Sequence, residues 1–354
     1  MAPAAIPHSR PTLGEEEARA AAEAVRSGQI AQGPRTAAFE EAVARYAGRA
    51  WGAAVSSGTA ALGLALHAMG VGAGDEVVVP SYNCPALAQA VRHLGARPRL
   101  CDVEPATGNP TPETVGAAAR GARAIIAAHL FGLAADAAGI AALGVPLVED
   151  LAQALGAHRA EGKAGGFGRL AICSFYATKP LAAGEGGMVL GDEEALLARI
   201  RDARDYDERD DLAPRWNCKL TDVQAAIGLV QLSRYEGFIA RRREIAARYA
   251  EGLAGTPLEL PGDPPGGRHI YHRYVVRLPE EYARRGGPGA AEEALQAKGI
   301  GARRPIYRPL HRLMGEAGFP GAEEAWARHL SLPIYPSLTE GEIERIMGAV
   351  RSLF

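Results

Sequence analysis

The sequence predicts an α/β protein with a seven-stranded, mostly parallel sheet and a smaller α/β domain after it. Between residues 50 and 190, short apolar runs alternate with helical or loop segments, as in a parallel sheet covered by helices. The length of 354 residues exceeds what one hydrophobic core usually supports. A run rich in proline and glycine at residues 261–267 then interrupts the pattern.

The chain begins with a predicted helical lead-in and continues into the sheet. Thr12 and Glu15 have capping-box spacing for a helix that Gly28 would end. Seven runs follow, mostly uninterrupted and apolar as in strands buried on both faces. They are Ala53–Val55, Glu76–Val79, Pro98–Asp102, Arg123–Ala128, Val145–Glu149, Leu170–Ser174 and Met188–Leu190.

A long helical region around residues 220–255 leads out of the sheet. We expect a large domain over residues 1–240 and a smaller C-terminal domain over residues 241–354. Within the second domain, Tyr271–Leu278 predicts a strand. Thr339 and Glu342 have capping-box spacing for a last helix that runs to the C-terminus.

Composition argues against several classes of partner. A charged fraction of 23% with a formal net charge of −2 is ordinary for a globular protein and disfavours nucleic-acid binding. No run reaches the roughly 18 apolar residues of a membrane span, and the first eleven residues lack a signal-peptide core. We therefore expect a cytoplasmic protein without a membrane partner. The four cysteines form no CxxC pair, so neither disulfides nor a metal site are predicted.

Ligands of open α/β sheets bind beyond the carboxyl ends of the strands, and two such ends carry suggestive residues. After the first strand, Gly58 and Thr59 open a helix whose free N–H groups suit a phosphate, although simple N-capping by Ser57 explains the pattern too. After the fifth strand, Asp150 and Gln153 have the spacing of one helix face. Asp150 suits a protonated ring nitrogen, or it is an acidic N-cap.

Lys179 follows the sixth strand and is one of only four lysines in the chain. Ser174 offers a hydroxyl five residues upstream, while Gly184 and Gly186 downstream permit close approach of the backbone to a ligand. Burial between an apolar strand and a glycine turn would lower the pKa of this lysine and favour Schiff-base chemistry. A phosphate cradle, a carboxylate and a lysine at three strand ends together match the needs of pyridoxal 5′-phosphate (PLP).

Several blocks of the sequence occur in the order found in one enzyme family. These blocks are Ser57–Leu62, Gly74–Ser81, His129–Gly132, Glu149–Ala154, Ser174–Gly187, Asn217–Leu232 and Leu332–Thr339. With them the chain resembles the DegT/DnrJ/StrS family of PLP-dependent, fold-type I sugar aminotransferases over nearly its whole length. The resemblance implies an α/β/α large domain around the seven-stranded sheet and a smaller C-terminal α/β domain.

The resemblance also implies roles for individual residues. Lys179 would form the Schiff base with the cofactor and then move the proton between the cofactor carbon and the substrate carbon. Asp150 would pair with the pyridinium nitrogen, and Gln153 would contact the ring oxygen. The phosphate would be held by Gly58, Thr59 and Ser174, together with Asn217 from the second subunit of a homodimer.

Two positions depart from the family pattern. Many relatives have an aromatic residue that stacks on the cofactor where this chain has Cys84. Tyr82 is an alternative, and because alternation along an extended segment puts Tyr82 and Cys84 on the same side, the choice between them stays open. The residue after the lysine is usually Asn and here is Pro180, which fixes φ but removes no evident catalytic group.

The resemblance implies transfer of an amino group from L-glutamate to a keto sugar, linked to a nucleotide, in amino-sugar biosynthesis. Tyr307, Arg308 and His311 lie in a segment that could face the sugar, although such residues beside prolines are more often structural. The sequence does not distinguish C3 from C4 amination, and a cyclitol ketone stays open as the acceptor.

Three rival functions agree less well with the sequence. A sugar dehydratase on the same fold carries His in place of the lysine, so Lys179 argues against it. A non-enzymatic scaffold would not need Lys179, Asp150, Gln153 and Ser174 together. A nicotinamide-dependent oxidoreductase is disfavoured because no GxGxxG opens a helix after the first strand.

Overall fold

The structure, a computed structural model, describes residues 4–354. Its strands are β1 (Trp51–Val55), β2 (Glu76–Pro80), β3 (Arg97–Cys101), β4 (Ala124–Ala128), β5 (Leu147–Asp150), β6 (His158–Arg159), β7 (Gly162–Lys163), β8 (Leu170–Ser174), β9 (Gly187–Gly191), β10 (Tyr274–Arg277) and β11 (His329–Leu332). Its helices are α1 (Glu15–Arg26), α2 (Pro34–Ala47), α3 (Gly58–Ala68), α4 (Ala86–His93), α5 (Pro112–Ala119), α6 (Ala137–Ala141), α7 (Glu194–Ala203), α8 (Asp222–Gly252), α9 (Glu280–Arg284), α10 (Gly287–Gln296), α11 (Leu310–Met314), α12 (Pro320–Arg328) and α13 (Glu340–Arg351).

The large sheet has seven strands in the order β1-β9-β8-β5-β4-β2-β3. Neighbouring strands pair in parallel from β8 through β5, β4 and β2 to β3, whereas β9 runs antiparallel to both of its neighbours, β1 and β8. Each of the seven predicted runs overlaps one of these strands. The predicted α/β class with a mostly parallel, seven-stranded sheet is therefore confirmed.

Helices cover both faces of this sheet because successive strand residues point to opposite sides. Ala53 and Val55 of β1 belong to the core beneath α3, α4 and α7, whereas Ala54 packs beneath α2 and α8. Helices α5 and α6 cover the rest of the second face. The result is a three-layer α/β/α body whose strand ends are held by buried apolar contacts on both sides.

A second hydrophobic core lies beside the sheet. It joins β10 and β11 to α10, α13 and the last turns of α8, and it includes Ile6 from the N-terminal segment. Helix α8 contributes to this core and to the core of the large sheet. The domain division near residue 240 falls inside α8 and stays a prediction.

The first helix does not start as the sequence predicts. Helix α1 has Gly14 as its N-cap, and the Gly14 N–H donates to Glu17 Oε2 at 2.7 Å. The predicted capping box of Thr12 and Glu15 is wrong because Glu17 is buried and is bonded to Gln231 of α8, which fixes the register of α1. The helix ends at Arg26, and Gly28 follows with a φ of 76° as expected of a glycine that terminates a helix.

The C-terminal elements agree better with the prediction from the sequence. Thr339 Oγ1 accepts from the Glu342 N–H while Glu342 Oε2 accepts from the Thr339 N–H, so the predicted capping box of α13 is confirmed. The helix ends at Arg351 instead of continuing to the C-terminus. The strand predicted over Tyr271–Leu278 is also shorter in the structure, since Tyr271 has a φ of 48° and strand β10 starts at Tyr274.

No helix in residues 4–354 has the length and apolar character required to cross a membrane.

Asp222 joins α8 to the start of α2. Its buried carboxylate accepts from the N–H groups of Gly33, Arg35 and Thr36 at 2.8, 3.1 and 2.9 Å, and from Thr36 Oγ1 at 2.8 Å. Burial alone would raise the pKa of Asp222, but these hydrogen bonds outweigh it, so the pKa lies below the ordinary value of 3.8. The ionised form is therefore the one that stabilises the fold.

We expect Asp222→Asn to lower the free energy of unfolding by about 2–3 kcal/mol, because the new amide group faces N–H donors. The deficit should be largest above about pH 4 and shrink as the pH falls, since a carboxyl with a lowered pKa loses its contribution when it is protonated. Urea unfolding at pH 7 and pH 3 measures both effects. The exposed Asp210→Asn is the matched control, and an equal deficit at both pH values would contradict the prediction.

Candidate active site

The carboxyl ends of β1, β5 and β8 meet at one edge of the large sheet. Gly187 of β9 lies opposite both Val55 and Ser174, so only one strand separates the ends of β1 and β8. The start of α3 approaches Ser174 so closely that a Cβ on Gly58 would lie 2.8 Å from the Ser174 Cβ. The sequence predicted these strand ends to converge, and the structure brings them together.

The N-terminus of α3 is the positively polarised end of this site. Ser57 caps the helix, and its hydroxyl accepts from the Ala60 N–H at 3.1 Å. The N–H groups of Gly58 and Thr59 belong to the first turn, where no intrahelical acceptor exists. Together with the half-buried Ser174 hydroxyl, they form a cradle of donors suited to a phosphate.

Lys179 lies in the turn that connects β8 to β9. Its backbone N–H donates to the Tyr176 carbonyl at 2.8 Å, which fixes the turn, and its side chain is half-buried in a concave site. Burial lowers the pKa of the Lys179 ammonium; Cys84 and Asp150 oppose this shift, and Arg273 adds to it. A larger fraction of the amine is therefore neutral near pH 7 than for an exposed lysine, as nucleophilic and basic roles require.

Asp150 is the last residue of β5 and is buried beside this lysine. Burial raises the pKa of its carboxyl, while the hydrogen bond from the Ala152 N–H and the charge of Lys179 oppose the rise. One carboxylate oxygen accepts from Ala152 at 2.8 Å. The second oxygen has no hydrogen-bond partner among residues 4–354, so a protonated ring nitrogen could donate to it.

Gln153 follows Asp150 in a series of turns, not in a helix, so the prediction that both lie on one helix face is wrong. The backbone that follows strand β4 holds the Gln153 side chain instead. Its Oε1 accepts from the Phe131 N–H at 2.9 Å, and Phe131 holds a left-handed φ of 61°. Because the oxygen is engaged with the backbone, the amide NH₂ is left to donate to a ligand.

His129 and Glu149 form a buried pair to which the sequence analysis assigned no role. The Ala135 N–H donates to His129 Nδ1, so the proton of the neutral ring is on Nε2, which donates to Glu149 Oε2 at 3.0 Å. Burial alone would raise the pKa of Glu149, but hydrogen bonds from His129, Gly168 and Gly165 outweigh it and lower the pKa. In the sequence, Glu149 at the end of an apolar run is the feature that could have indicated this pair.

The structure separates Tyr82 from Cys84. Residues 81–83 form a bend instead of an extended segment, so the prediction that both side chains lie on the same side is wrong. Tyr82 is fully buried, and its ring packs edge-on against His329. Cys84 keeps solvent-exposed surface. Desolvation by the surrounding protein raises the pKa of its thiol, and the nearby Lys179 opposes the rise. Of the two, Cys84 is the residue beside the lysine.

The remaining predicted residues lie farther along the chain. Tyr307 and Arg308 are exposed, and Tyr307 lines a cleft next to Thr178. His311 is buried, and its ring nitrogens contact Ser81 Oγ at 2.5 Å and Glu323 Oε1 at 2.6 Å, which leaves neither nitrogen for a substrate. Asn217 is exposed on the surface of the single chain.

Two further residues near the lysine were missed. His272 is buried with its Nδ1 unpartnered in the described chain, and Lys179 helps to lower its pKa, after burial as the main cause. Arg273 follows it and lines the cleft that contains Thr178. A His-Arg pair near the start of the predicted strand Tyr271–Leu278 is the signal that could have indicated both.

This arrangement fits PLP residue by residue. Gly58 leaves the space that a Cβ would fill at the phosphate cradle, Asp150 has a free oxygen for the ring nitrogen, and Lys179 supplies an amine with a lowered pKa. On a three-layer α/β/α fold, such a site defines a PLP-dependent enzyme of fold type I.

The comparisons identify the family within this class. A model of the DegT/DnrJ/EryC1/StrS aminotransferase family matches residues 11–351, and the chain belongs to this family. It is similar to the aminotransferase TlmJ from Streptoalloteichus hindustanus, with a TM-score of 0.92 and 36% identity over 98% of each chain. The predicted aminotransferase is thereby confirmed, and the scaffold and nicotinamide alternatives are set aside.

Two other similar proteins have solved structures whose descriptions name a sugar product or the cofactor. DesI, solved in the presence of its TDP-sugar product, has a TM-score of 0.90 and 30% identity over 99% of this chain and 94% of its own. A candidate sugar aminotransferase, Spr1654 from Streptococcus pneumoniae, was solved in PLP and PMP forms, with TM-scores of 0.91 and 0.89 at 25% identity. The two forms cover 99% of this chain and 98% and 97% of their own. The predicted PLP dependence is confirmed.

We expect Gly58→Val to weaken PLP binding at least tenfold, because the added side chain fills the cradle and meets Ser174. Titration of the apoenzyme with PLP, followed by visible absorbance, measures the dissociation constant. Gly63→Ala is the control, since it lies in the same helix and its Cβ meets no atom within 4 Å. Equal affinities of the Gly58 variant and the wild type would contradict the assignment of the cradle.

Proposed function

We propose that the protein transfers an amino group from L-glutamate to a keto sugar linked to a nucleotide, and that it does so as a cytoplasmic homodimer. The observation that carries the proposal is the similarity, over 99% of this chain, to DesI in the presence of its TDP-sugar product. The open site beside Lys179 supports it, because an extended substrate needs a cleft that continues beyond the cofactor.

Each residue of the site has a defined task in this reaction. Lys179 would hold the cofactor and, as the amine with the lowered pKa, would move the proton between the donor carbon and the cofactor. Asp150 would accept the hydrogen bond of the ring nitrogen and so favour its protonated form. Gly58, Thr59 and Ser174 would hold the phosphate. Bound PLP supplies the electron sink for the carbanion.

The direct test offers nucleotide-linked keto sugars as acceptors with L-glutamate as donor. TDP-linked 3-keto and 4-keto sugars and a free cyclitol ketone are supplied separately, and 2-oxoglutarate release is measured. Turnover with a nucleotide-linked sugar and not with the cyclitol supports the proposal and also distinguishes C3 from C4 amination. Turnover with the cyclitol alone would contradict the proposal and indicate a cyclitol ketone as the acceptor.

Asn217 supports the homodimer in this proposal. The N–H groups of its neighbours Trp216 and Cys218 donate to Ala203 and Arg204, so the backbone is held while the Asn217 side chain is exposed. Mixed dimers test the arrangement. If Asn217 completes the site of the other subunit, mixing the inactive Lys179→Ala and Asn217→Ala variants restores one intact site per mixed dimer. No recovery on mixing would place Asn217 in the site of its own subunit.

A further inference from the structure

A basic cleft of about 380 Å³ opens beside the catalytic lysine. Thr178, the residue before Lys179, lies in its wall, so the cleft adjoins the site of the reaction. Three arginines line it, Arg273 from the segment before β10 and Arg303 and Arg304 from the loop before α11. This concentration of guanidinium groups is separate from the residues that hold the cofactor.

No salt bridge within the described chain holds these arginines. None of the three forms an ion pair with a carboxylate among residues 4–354, unlike the buried Arg204, which lies 2.5 Å from Glu40 Oε1. Arg304 lies over the ring of Trp326 at 3.9 Å. Burial lowers the pKa of Arg273, and the like charge of Arg303 adds to the decrease. Glu292 is the one carboxylate close to them: it accepts from the Arg304 backbone N–H and opposes the lowering of the Arg304 pKa that burial causes. Within the described chain, the cleft therefore holds more positive than negative charge.

His8 also lies in this cleft and adds no charge to it. Burial and the charges of Arg273 and Arg303 lower the pKa of His8 to about 3, so the ring is neutral at physiological pH. Its Nε2 lies 2.9 Å from Ser331 Oγ and 3.4 Å from Arg273 Nη1. A neutral imidazole supplies an acceptor but no negative charge. Partly desolvated cations without a counter-charge are costly, and an anionic ligand would offset that cost.

We propose that this cleft binds an anionic oxygen group of a substrate through Arg273, Arg303 and Arg304. The forked N–H groups of arginine match the oxygens of carboxylates and phosphates in the same way. Two sources supply that chemistry, a carboxylate of the amino donor and the diphosphate of a sugar nucleotide. The inference rests on the proposed function, because it names the part of the substrate that this site recognises.

Binding of two unreactive probes tests the inference without turnover. Glutarate carries two carboxylates without an amino group, and thymidine 5′-diphosphate carries the diphosphate without a sugar. Calorimetry with the PLP-loaded protein compares the wild type with Arg303→Ala and Arg304→Ala. The exposed Arg285→Ala, in the same part of the chain, is the matched control. We expect the dissociation constant of at least one probe to rise about tenfold or more in the cleft variants and to stay unchanged in the control.

The probe that responds identifies the source. A loss confined to glutarate assigns the cleft to the donor carboxylate, with a matching rise in KM for L-glutamate. A loss confined to thymidine 5′-diphosphate assigns it to the nucleotide, with a matching rise in KM for the sugar. Unchanged binding of both probes in both variants overturns the inference, even if the enzyme aminates a sugar. Conversely, arginine-dependent binding of a probe by an enzyme that aminates no sugar refutes the proposed function alone.

Discussion

Replacing Lys179 with alanine is expected to lower kcat for transamination by at least about 10³-fold, because in the proposed reaction this residue both attaches the cofactor covalently and moves the proton. The structure gives the reason: this amine has a pKa lowered by burial and lies beside the Asp150 carboxylate. Release of 2-oxoglutarate measures the rate, and the visible band of the lysine-bound cofactor should disappear with it.

Lys298→Ala is the control for this experiment. Lys298 is exposed and contacts Ser352 near the C-terminus. We expect the control to keep its visible band and its rate within about twofold of the wild type, as surface substitutions usually change little. A Lys179→Ala variant that retained full activity would exclude this residue from the reaction.

Asp150→Asn is expected to lower kcat by about 10²- to 10⁴-fold while the fold is kept. The amide preserves the shape of the side chain and can still accept from the Ala152 N–H. It carries no negative charge to hold a proton on the ring nitrogen, so the cofactor becomes a weaker electron acceptor. Single-turnover absorbance with L-glutamate measures this step apart from binding of the acceptor.

Asp136→Asn serves as the matched substitution. Asp136 caps α6 by accepting from the Gly139 N–H, and asparagine is an equally good N-cap. This control should therefore keep both stability and rate. If Asp150→Asn reacted with L-glutamate as fast as the control, the ring nitrogen would not depend on Asp150.

The sheet was predictable from sequence because its strands are buried on both faces and read as apolar runs. The strand ends were predictable for the same reason, and Gly58, Asp150 and Lys179 follow directly from them. The start of α1 was not predictable, because Glu17 fixes it through a hydrogen bond from Gln231 of α8. A local capping pattern cannot reveal a partner more than two hundred residues away.

The residues around the cofactor site were harder to predict than the strand ends. Tyr82 and Cys84 are two positions apart, yet a bend sends one into the core and the other into the site. The buried pair of His129 and Glu149 depends on two neighbouring strands and on the loop at residues 165–168. Arg273 and Arg303 come from separate segments of the chain, and their shared cleft exists only after β10 and β11 have paired.

Strand β9 also joins the two sides of the candidate cofactor site. Within the described sheet, β1 pairs only with β9, which is made long after it, and Gly187 meets Val55 and Ser174 at the same point. A Cβ on Gly187 would lie 2.3 Å from the Ser57 carbonyl oxygen, so no larger residue fits there. The ladder that joins β1 to the rest of the sheet is therefore complete only when β9 is in place. Because bound PLP would contact groups on both sides of β9, we expect PLP to stabilise the protein against separation of the edge strand β1.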